Sequence, residues 1–263
     1  MKHILVPIGI SSNAQNTLDY AIALAQHYTA QLYVMDSYTA KSPSHLGNIK
    51  NVIHKNNFDR VKEIIQSIDS KGVDIQMVQY EGDLLSAIAS LDEKVGLDLI
   101  VMGLKPNTID DEVFLGSGSG KVVKHTDIPV WLVPADTSFS PPKKALFAFK
   151  TGLIKGDRSL EILKSISKEF QTTIQLLLVK TPGNKREDLQ IDHEIVELSD
   201  GMLSTENATV YQGVLEYFQT VEPDLLTVFA RKRGFFEKLI ESGSIAKKDF
   251  YTTKPLLVLK NRA

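Results

Sequence analysis

The sequence predicts an α/β protein of two tandem, doubly wound domains, each with a five-stranded parallel sheet of the Rossmann-like type. Three observations lead to this prediction. Short apolar runs, typical of strands buried on both faces, alternate with amphipathic segments of helical period. The length of 263 residues suits two domains of ordinary size. The pattern of the first half then recurs in the second half, which indicates an internal repeat.

In the first half, helical patterns separate the candidate strands. The strand candidates are Ile4–Ile8, Leu32–Met35, Asp74–Tyr80, Leu99–Met102 and Val130–Val133. The helix candidates are Ala14–Ala25, Phe58–Ile68, Leu84–Val95 and about Ser117–His125. The first helix is expected to begin with a capping box formed by Ser12 and Gln15. Strands and helices in this order predict right-handed crossovers and a parallel sheet.

The second half repeats this pattern at an offset that shrinks along the chain. Ala145–Phe149 matches the first strand at an offset of 141, whereas Pro255 matches Pro129 at an offset of 126. We assign most of the shortening to the loop near Lys41–Asn57, which the second half lacks in part. Leu160, Leu163, Ile166 and Phe170 mark a helix, and Ile174–Val179 marks the next strand.

The domain boundary is predicted from composition. Pro134–Pro142 is rich in proline, serine and threonine, as linkers are. We therefore assign residues 1–135 to the first domain, 136–142 to the linker and 143–263 to the second domain.

Composition excludes several classes of protein. The net charge of −2 argues against bulk attraction to nucleic acid or anionic lipid, and no apolar run approaches the roughly 18 residues of a membrane span. There are no cysteines, which excludes disulfides and thiolate metal sites, and the six histidines lack metal-ligand spacing. Met1–Ile10 lacks the features of a signal peptide, so a cytoplasmic protein with no membrane and no nucleic-acid partner is expected.

Candidate binding residues lie where the predicted strands end, because ligands of open parallel sheets sit beyond the carboxyl ends of the strands. The candidate segments are Gly9–Ser12, Val34–Asp36 and Gly103–Ser119. In the last, Gly116–Gly120 is glycine-rich and opens a helix whose free N–H groups suit a phosphate. A tight turn with serine caps is the alternative. A Walker A loop is excluded, because Leu115 stands in place of its first glycine and Val122 in place of its serine or threonine.

The spacing of this segment resembles the universal stress protein family. Gly103 is followed by two residues, Pro106, nine residues and then Gly116–Ser117, and a proline-introduced strand comes later. The opening Ile4–Pro7 is similar too. The second half carries a degenerate form of the motif, with Ala230, Arg231-Lys232, Arg233, the nine residues Gly234–Ser242 and Gly243–Ser244. The resemblance implies a tandem member of the family, whose proteins either bind ATP through this motif or lack nucleotide, and usually associate through the last strand.

The resemblance also implies a set of ATP-binding residues in the first domain. Val34 matches the position whose backbone meets adenine, and Gly9 stands where the family has an aspartate. The phosphate loop corresponds to Gly103, Gly116 and Ser117, with Gly118 and Ser119 following at the helix start.

Departures from the family motif weaken this ATP site. Pro106 replaces a glycine and offers no N–H group, Gly9 lacks the carboxylate, and Asp110–Glu112 place three negative charges in the same loop. In the second domain, Lys150 stands for the aspartate, and Ala230 and Arg233 stand for glycines. ATP is therefore a candidate ligand of the first domain only, and the second domain is expected to be chiefly structural, with a filled or basic crevice.

Three functions remain open from the sequence. The first is a non-enzymatic stress-response protein that acts by binding a partner or a small ligand. The second is a slow ATPase that uses the Gly116 loop, and the third is a lipid- or metabolite-binding protein. We also expect a pseudo-dimer of the two halves through Val130–Val133 and Leu256–Leu259, because each apolar strand otherwise leaves an open sheet edge. A homodimer of whole chains follows the same logic.

Overall fold

Strands and helices alternate in the first half as the sequence predicts. The computed structural model describes residues 1–8, 13–38, 58–104, 117–156, 158–230 and 254–261. The first-half strands are β1 (His3–Pro7), β2 (Gln31–Tyr38), β3 (Ile75–Glu81), β4 (Leu99–Gly103) and β5 (Val130–Val133). The helices are α1 (Ala14–Tyr28), α2 (residues 58–67), α3 (Leu84–Val95) and α4 (Ser117–His125). The predicted elements are all present, and their ends differ by a few residues at most.

The second half repeats this order over its described residues, and two of its three described helices are shorter than their first-half counterparts. Its strands are β6 (Lys144–Phe149), β7 (Thr173–Lys180), β8 (Gly201–Glu206), β9 (Leu225–Ala230) and β10 (Leu256–Lys260). Its helices are α5 (Glu161–Phe170), α6 (His193–Glu197) and α7 (Val210–Val221), with a 3₁₀ turn at Arg186–Leu189. Residues 39–74 connect β2 to β3, whereas the shorter segment 181–200 connects β7 to β8. The predicted shortening between the first and third strands is therefore confirmed. The loop near Lys41–Asn57, to which we assign it, lies outside the described residues.

The ten strands form one sheet in the order β3-β2-β1-β4-β5-β10-β9-β6-β7-β8. Within each half all neighbours run parallel, with Ile4 opposite Leu32 and Ala145 opposite Ile174. In each half the strand order reverses beside the first strand, between β1 and β4 and between β6 and β9. This is the doubly wound topology that the alternating pattern predicts.

Apolar residues cover both faces of the sheet. Along β1, Ile4 and Val6 pack on one face with α1, while Leu5 packs on the other with α3 and α4. Burial on both faces explains why inner strands such as β4 and β5 read as continuous apolar runs, whereas the outermost strands β3 and β8 have alternating exposure or partial exposure. None of the described helices combines the length and the apolar character that crossing a membrane requires.

The two halves join edge to edge through their last strands. β10 pairs antiparallel with β5, which places Leu257 opposite Trp131. Both side chains are fully buried, so Trp131 belongs to the core at this pairing surface. The pairing closes two edges that would otherwise present unpaired backbone groups. The expected pairing of the last strands within the chain is confirmed.

A second contact across this seam, the junction between β5 and β10, is polar. The Lys260 Nζ, at the end of β10, donates a hydrogen bond of 2.6 Å to the backbone carbonyl of Val123 in the last turn of α4. Lys260 is nearly fully buried. A cation suits this position, because the carbonyl end of a helix carries partial negative charge.

The segment between β5 and β6 packs against both halves. The ring of Phe139 lies 5.2 Å from that of Tyr20 in α1 and 5.9 Å from that of Phe170 in α5, measured between centroids. His27 also contacts Phe170, at 5.0 Å. Burial in this cluster raises the pKa of the Tyr20 hydroxyl well above its usual range. The segment with linker composition is therefore anchored by an aromatic cluster.

Candidate functional site

A crevice lies at the carboxyl edge of the first half, where the strand order reverses. Its cavity has a volume of about 270 Å³. The strands β1, β2 and β4 end at this cavity, and the first turns of α1, α3 and α4 complete its wall. The polar lining residues are Asn13, Thr17, Asp36, Ser37 and Ser119, and the apolar ones include Ile8, Met35, Leu84, Met102 and Leu104.

Two side chains at the start of α1 fix this helix to the end of β4. The Asn13 Nδ2 donates a hydrogen bond of 2.9 Å to the carbonyl of Leu104, which follows β4 directly. The Thr17 hydroxyl donates to the Asn13 carbonyl at 2.8 Å. Asn13 occupies the N-cap position but makes no side-chain cap hydrogen bond. Ser12, the first residue of the predicted capping box, lies outside the described residues. The polar side chain of Asn13 instead connects the helix to β4.

Gly103 is required for this close approach. A Cβ atom on Gly103 would lie 2.4 Å from the Thr17 Oγ1 and 3.2 Å from the Asn13 Nδ2. Such separations are shorter than van der Waals contact allows. The absence of a side chain at this position therefore serves helix packing, whether or not a ligand also approaches the backbone here.

Gly118 has the opposite environment. It lies in the first turn of α4 and lines the cavity, and a Cβ atom there would have no neighbour within 4 Å. Ser119 beside it is nearly buried. The first turn of a helix carries unpaired N–H groups and partial positive charge, so this end of the cavity is suited to a ligand oxygen or an anion.

The carboxyl end of β2 supplies the acidic side of the crevice. Asp36 is 8% exposed, lines the cavity and stands opposite Gln79 of β3 in the sheet. Ser37 follows it on the same rim. Asp36 ends the candidate segment Val34–Asp36 predicted from the sequence, whereas the family resemblance assigned adenine binding to the backbone of Val34. Val34 is fully buried within β2, opposite Val6 and Met77, and is not among the residues that line the cavity.

The predicted site residues thus fall into two groups. Gly103, Gly118 and Ser119 lie together around the cavity. Ser117 begins α4, and its side chain is outside the described part of the chain, as are Gly9, Gly116, Pro106 and Asp110–Glu112. Sequence reasoning missed Asn13 and Thr17. Their spacing of four residues at a helix start is a signal, but it gives no indication that the partner is Leu104.

At the corresponding edge of the second half, the loop that follows β6 is hydrogen-bonded to other segments of the same chain. After β6, Gly152 forms an isolated parallel bridge with Ile191, and the Asp192 N–H donates to the Gly152 carbonyl at 3.0 Å. A Cβ atom on Gly152 would lie 2.8 Å from the Ile191 Cα. From the other side, Asn261 accepts a hydrogen bond of 2.7 Å from the Lys155 N–H and donates one of 2.8 Å to the Leu153 carbonyl. The loop that follows β6 is thus held between two other segments.

Two of the predicted second-half residues are described. Lys150 follows β6, and its carbonyl accepts a hydrogen bond of 3.2 Å from the Asn184 Nδ2. Ala230 ends β9 and is buried. Arg231, Lys232 and Arg233 lie outside the described residues. Among the residues that the structure describes, no cluster of three or more His, Cys, Asp or Glu side chains could hold a metal ion.

Comparison with known proteins gives the family. The family model described as "Universal stress protein family" matches residues 1–134, about half of the chain. The chain belongs to the universal stress protein family. A curated universal stress protein of Methanocaldococcus jannaschii is 26% identical over 140 residues, which cover 50% of this chain and 81% of that protein.

Solved structures extend the likeness of this universal stress protein to both halves. A universal stress protein from Archaeoglobus fulgidus matches with a TM-score of 0.73 at 18% identity and covers 98% of each chain. A putative universal stress protein from Pseudomonas aeruginosa matches with a TM-score of 0.60 at 17% identity, covering 99% of this chain and 93% of that one. At these identities the likeness concerns the fold, and it spans the tandem arrangement.

Proposed function

We propose that this tandem universal stress protein is non-enzymatic and acts by binding a small ligand, or a partner that presents one, in the crevice of its first half. The observation that carries the proposal is the contrast between the two carboxyl edges. At the first edge, a cavity of about 270 Å³ is lined by Asp36, Gly118 and other polar groups. At the second, Ile191 and Asn261 hold the corresponding loop in place.

The lining of the crevice supports binding without catalysis. Hydrolysis of a nucleoside triphosphate needs a group that orients the attacking water and cations that neutralise the transferred phosphoryl group. Asp36 is the one ionisable side chain among the described lining residues. The slow-ATPase alternative from the Gly116 loop thus has little support in the described part of the crevice.

The second domain, residues 143–263, is proposed to be structural and to complete the sheet through β10. Because β5 and β10 already pair with each other, a homodimer of whole chains would have to use another surface. The outermost strands of the ten-stranded sheet are β3 and β8. A cytoplasmic location and the domain boundary at residues 136–142 are part of the same proposal.

Native mass spectrometry of freshly purified protein tests the ligand-binding role. We expect one small molecule per chain. Substituting Gly118→Phe should remove it, because this position faces open space in the cavity and a phenyl ring would fill that space. The control is Lys121→Phe, an exposed position on the same helix, which should retain the molecule. A wild-type chain that carries no molecule and captures none from a metabolite extract would contradict the proposed role.

ATP itself is expected to bind no tighter than on the order of tens of micromolar. The missing carboxylate at Gly9, the missing N–H at Pro106 and the acidic run Asp110–Glu112 each cost on the order of 1 kcal/mol of affinity. Restoring the family pattern with Gly9→Asp and Pro106→Gly should strengthen binding. Isothermal titration calorimetry measures both proteins, and submicromolar binding of ATP by the wild-type chain would overturn the argument.

A further inference from the structure

Three large apolar side chains are exposed in the described part of the chain, and all three lie on one segment of the second half. Leu189 is 41% exposed, Val196 is 47% exposed and Met202 is 54% exposed. Leu189 ends the 3₁₀ turn after β7, Val196 belongs to α6, and Met202 is the second residue of β8. Single exposed apolar residues are ordinary on a protein surface, but three on one segment call for a reason. We call these three side chains the apolar patch.

The elements that carry the patch pack on one face of the sheet, the face that also holds α1 and α5. Ile191 and Ile195 belong to the apolar cluster of that face, and Ile195 is fully buried. Met202 stands opposite Leu176 of β7, which is buried in the same cluster. The next residue of β8, Leu203, packs in the cluster of the other face. The patch therefore lies on one side of the sheet, beside its outermost strand β8.

In the first half, a helix packs on the surface that corresponds to the patch. Met77 of β3 and Met202 of β8 occupy equivalent positions, each two strands away from the fourth residue of the first strand of its half. Met77 is partly buried, and it shares its cluster with Val61, Ile64 and Ile65 of α2, of which Val61 is buried. The second half has the five-residue α6 where the first half has the ten residues 58–67 of α2. The patch is exposed because no helix of that length covers it in the described part of the chain.

The segment that carries the patch is acidic. Residues 187–206 contain seven acidic side chains and no lysine or arginine, and two basic residues precede them. Neighbouring elements compensate part of this charge, since Lys164 of α5 pairs with Glu194, and Lys180 of β7 stands opposite the last residue of β8. Lys164 also pairs with Glu161, which adds a further carboxylate. Acidic side chains therefore outnumber basic ones around the patch even when these partners are counted.

We infer that the apolar patch is a docking surface for an amphipathic helix of a partner protein, one whose apolar side is bordered by lysine or arginine. The first half shows how a helix packs at this position, with apolar residues at the spacing of Val61, Ile64 and Ile65. The charge of the segment favours a basic partner and opposes a second copy of this chain, because two copies would bring like charges together. This surface is separate from the crevice of the first half, so the inference does not depend on ligand binding there.

Fluorescence anisotropy with two labelled peptides and the full-length chain tests the inference. Both peptides are about 18 residues long, because shorter isolated helices are marginal in water, and both repeat the apolar spacing of α2. One peptide has lysine at the positions that border the apolar side, and the other has glutamate at the same positions. We expect the lysine peptide to bind about tenfold or more tightly than the glutamate peptide, and added salt to reduce this difference. Circular dichroism should show that the lysine peptide gains helicity when it binds.

Variants of the patch separate docking from general attraction between charges. Met202→Ser and Val196→Ser leave the charge unchanged and remove apolar surface at exposed positions, so both variants should fold. Each should weaken binding of the lysine peptide by about fivefold or more, because the apolar contact is lost. Gln76→Ser is the matched control, since it changes an exposed residue of β3, the other outermost strand, and should leave the affinity unchanged. If the double variant Met202→Ser/Val196→Ser binds the peptide as tightly as the wild-type chain, the inference is wrong.

Other occupants of the patch give different results. If sedimentation velocity shows a dimer that Met202→Ser converts to a monomer, a second copy of the chain covers the patch, and the inferred partner is wrong. If the lysine peptide binds without gaining helicity and slows amide hydrogen exchange along β8, the peptide adds a strand to the sheet edge, and the inferred helix is wrong. If neither peptide binds at millimolar concentration, the patch is not a docking surface for a helix of this kind.

Discussion

Substituting Trp131→Ala is expected to lower the free energy of unfolding by about 3–5 kcal/mol, the usual cost of truncating a fully buried aromatic residue. Trp131 is completely buried in β5, stands opposite Leu257 of β10 and packs near Tyr20 of α1. Its removal leaves a cavity at the seam that joins the two halves. A domain of ordinary stability has only 5–15 kcal/mol in total, so a large part of it would be lost.

The measurement is the urea midpoint followed by far-ultraviolet circular dichroism, because Trp131 is the single tryptophan and its fluorescence disappears in the variant. The matched control is Trp131→Phe, which retains an aromatic ring and should cost clearly less. If alanine and phenylalanine lower the midpoint equally, ring packing at the seam is not what stabilises the chain. If alanine lowers the free energy of unfolding by less than about 1 kcal/mol, the structure around Trp131 relaxes to fill the cavity.

The seam was predictable because its signal is local. Each of the apolar runs Val130–Val133 and Leu256–Leu259 follows a proline and is the last strand candidate of its half. Two such strands leave open edges, and mutual pairing covers both. The periodicity of the helices is local as well, and their positions follow from it within a few residues. The anchoring of the linker by Phe139 could not be foreseen, since it depends on His27 and Phe170 arriving at the same place.

The crevice was predictable only in part. The ends of strands and the glycine-rich helix start are readable in sequence, and they place Gly103, Gly118 and Ser119 together. The hydrogen bond from Asn13 to Leu104 joins positions 91 residues apart, so no local pattern reveals it. The same holds in the second half, where Asn261 fixes the loop after β6. Such contacts depend on tertiary structure, and they fix the backbone that borders each crevice.

Gly103 and Gly118 show why glycines of one motif need not serve one purpose. At Gly103 the structure leaves no space for a Cβ atom, while at Gly118 it leaves open space. The family resemblance assigns Gly103 to a phosphate loop, and Gly118 follows that loop at the helix start. Substitution should therefore separate a glycine needed for packing from one that keeps the crevice open.

Gly103→Ala is expected to destabilise the chain by about 1–3 kcal/mol, the usual cost of overpacking, because the new methyl group would meet the Thr17 hydroxyl at 2.4 Å. Gly118→Ala is expected to raise stability by about 0.5–1 kcal/mol, since alanine is the better helix former and meets no neighbour. Urea midpoints measure both changes. The opposite signs are the decisive feature, because a general intolerance of substitution in this region would lower both midpoints.

A double variant identifies the cause at Gly103. Combining Gly103→Ala with Thr17→Ala removes the hydroxyl that the new methyl group meets, so the two substitutions together should cost less than the sum of their separate costs. Thr17 also donates to the Asn13 carbonyl, so Thr17→Ala alone has a cost of its own, which the cycle accounts for. If the two costs add without interaction, the strain at Gly103 does not come from Thr17. In that case the 3.2 Å approach to the Asn13 Nδ2 is the remaining close contact, and the link from α1 to Leu104 is what the methyl group disturbs.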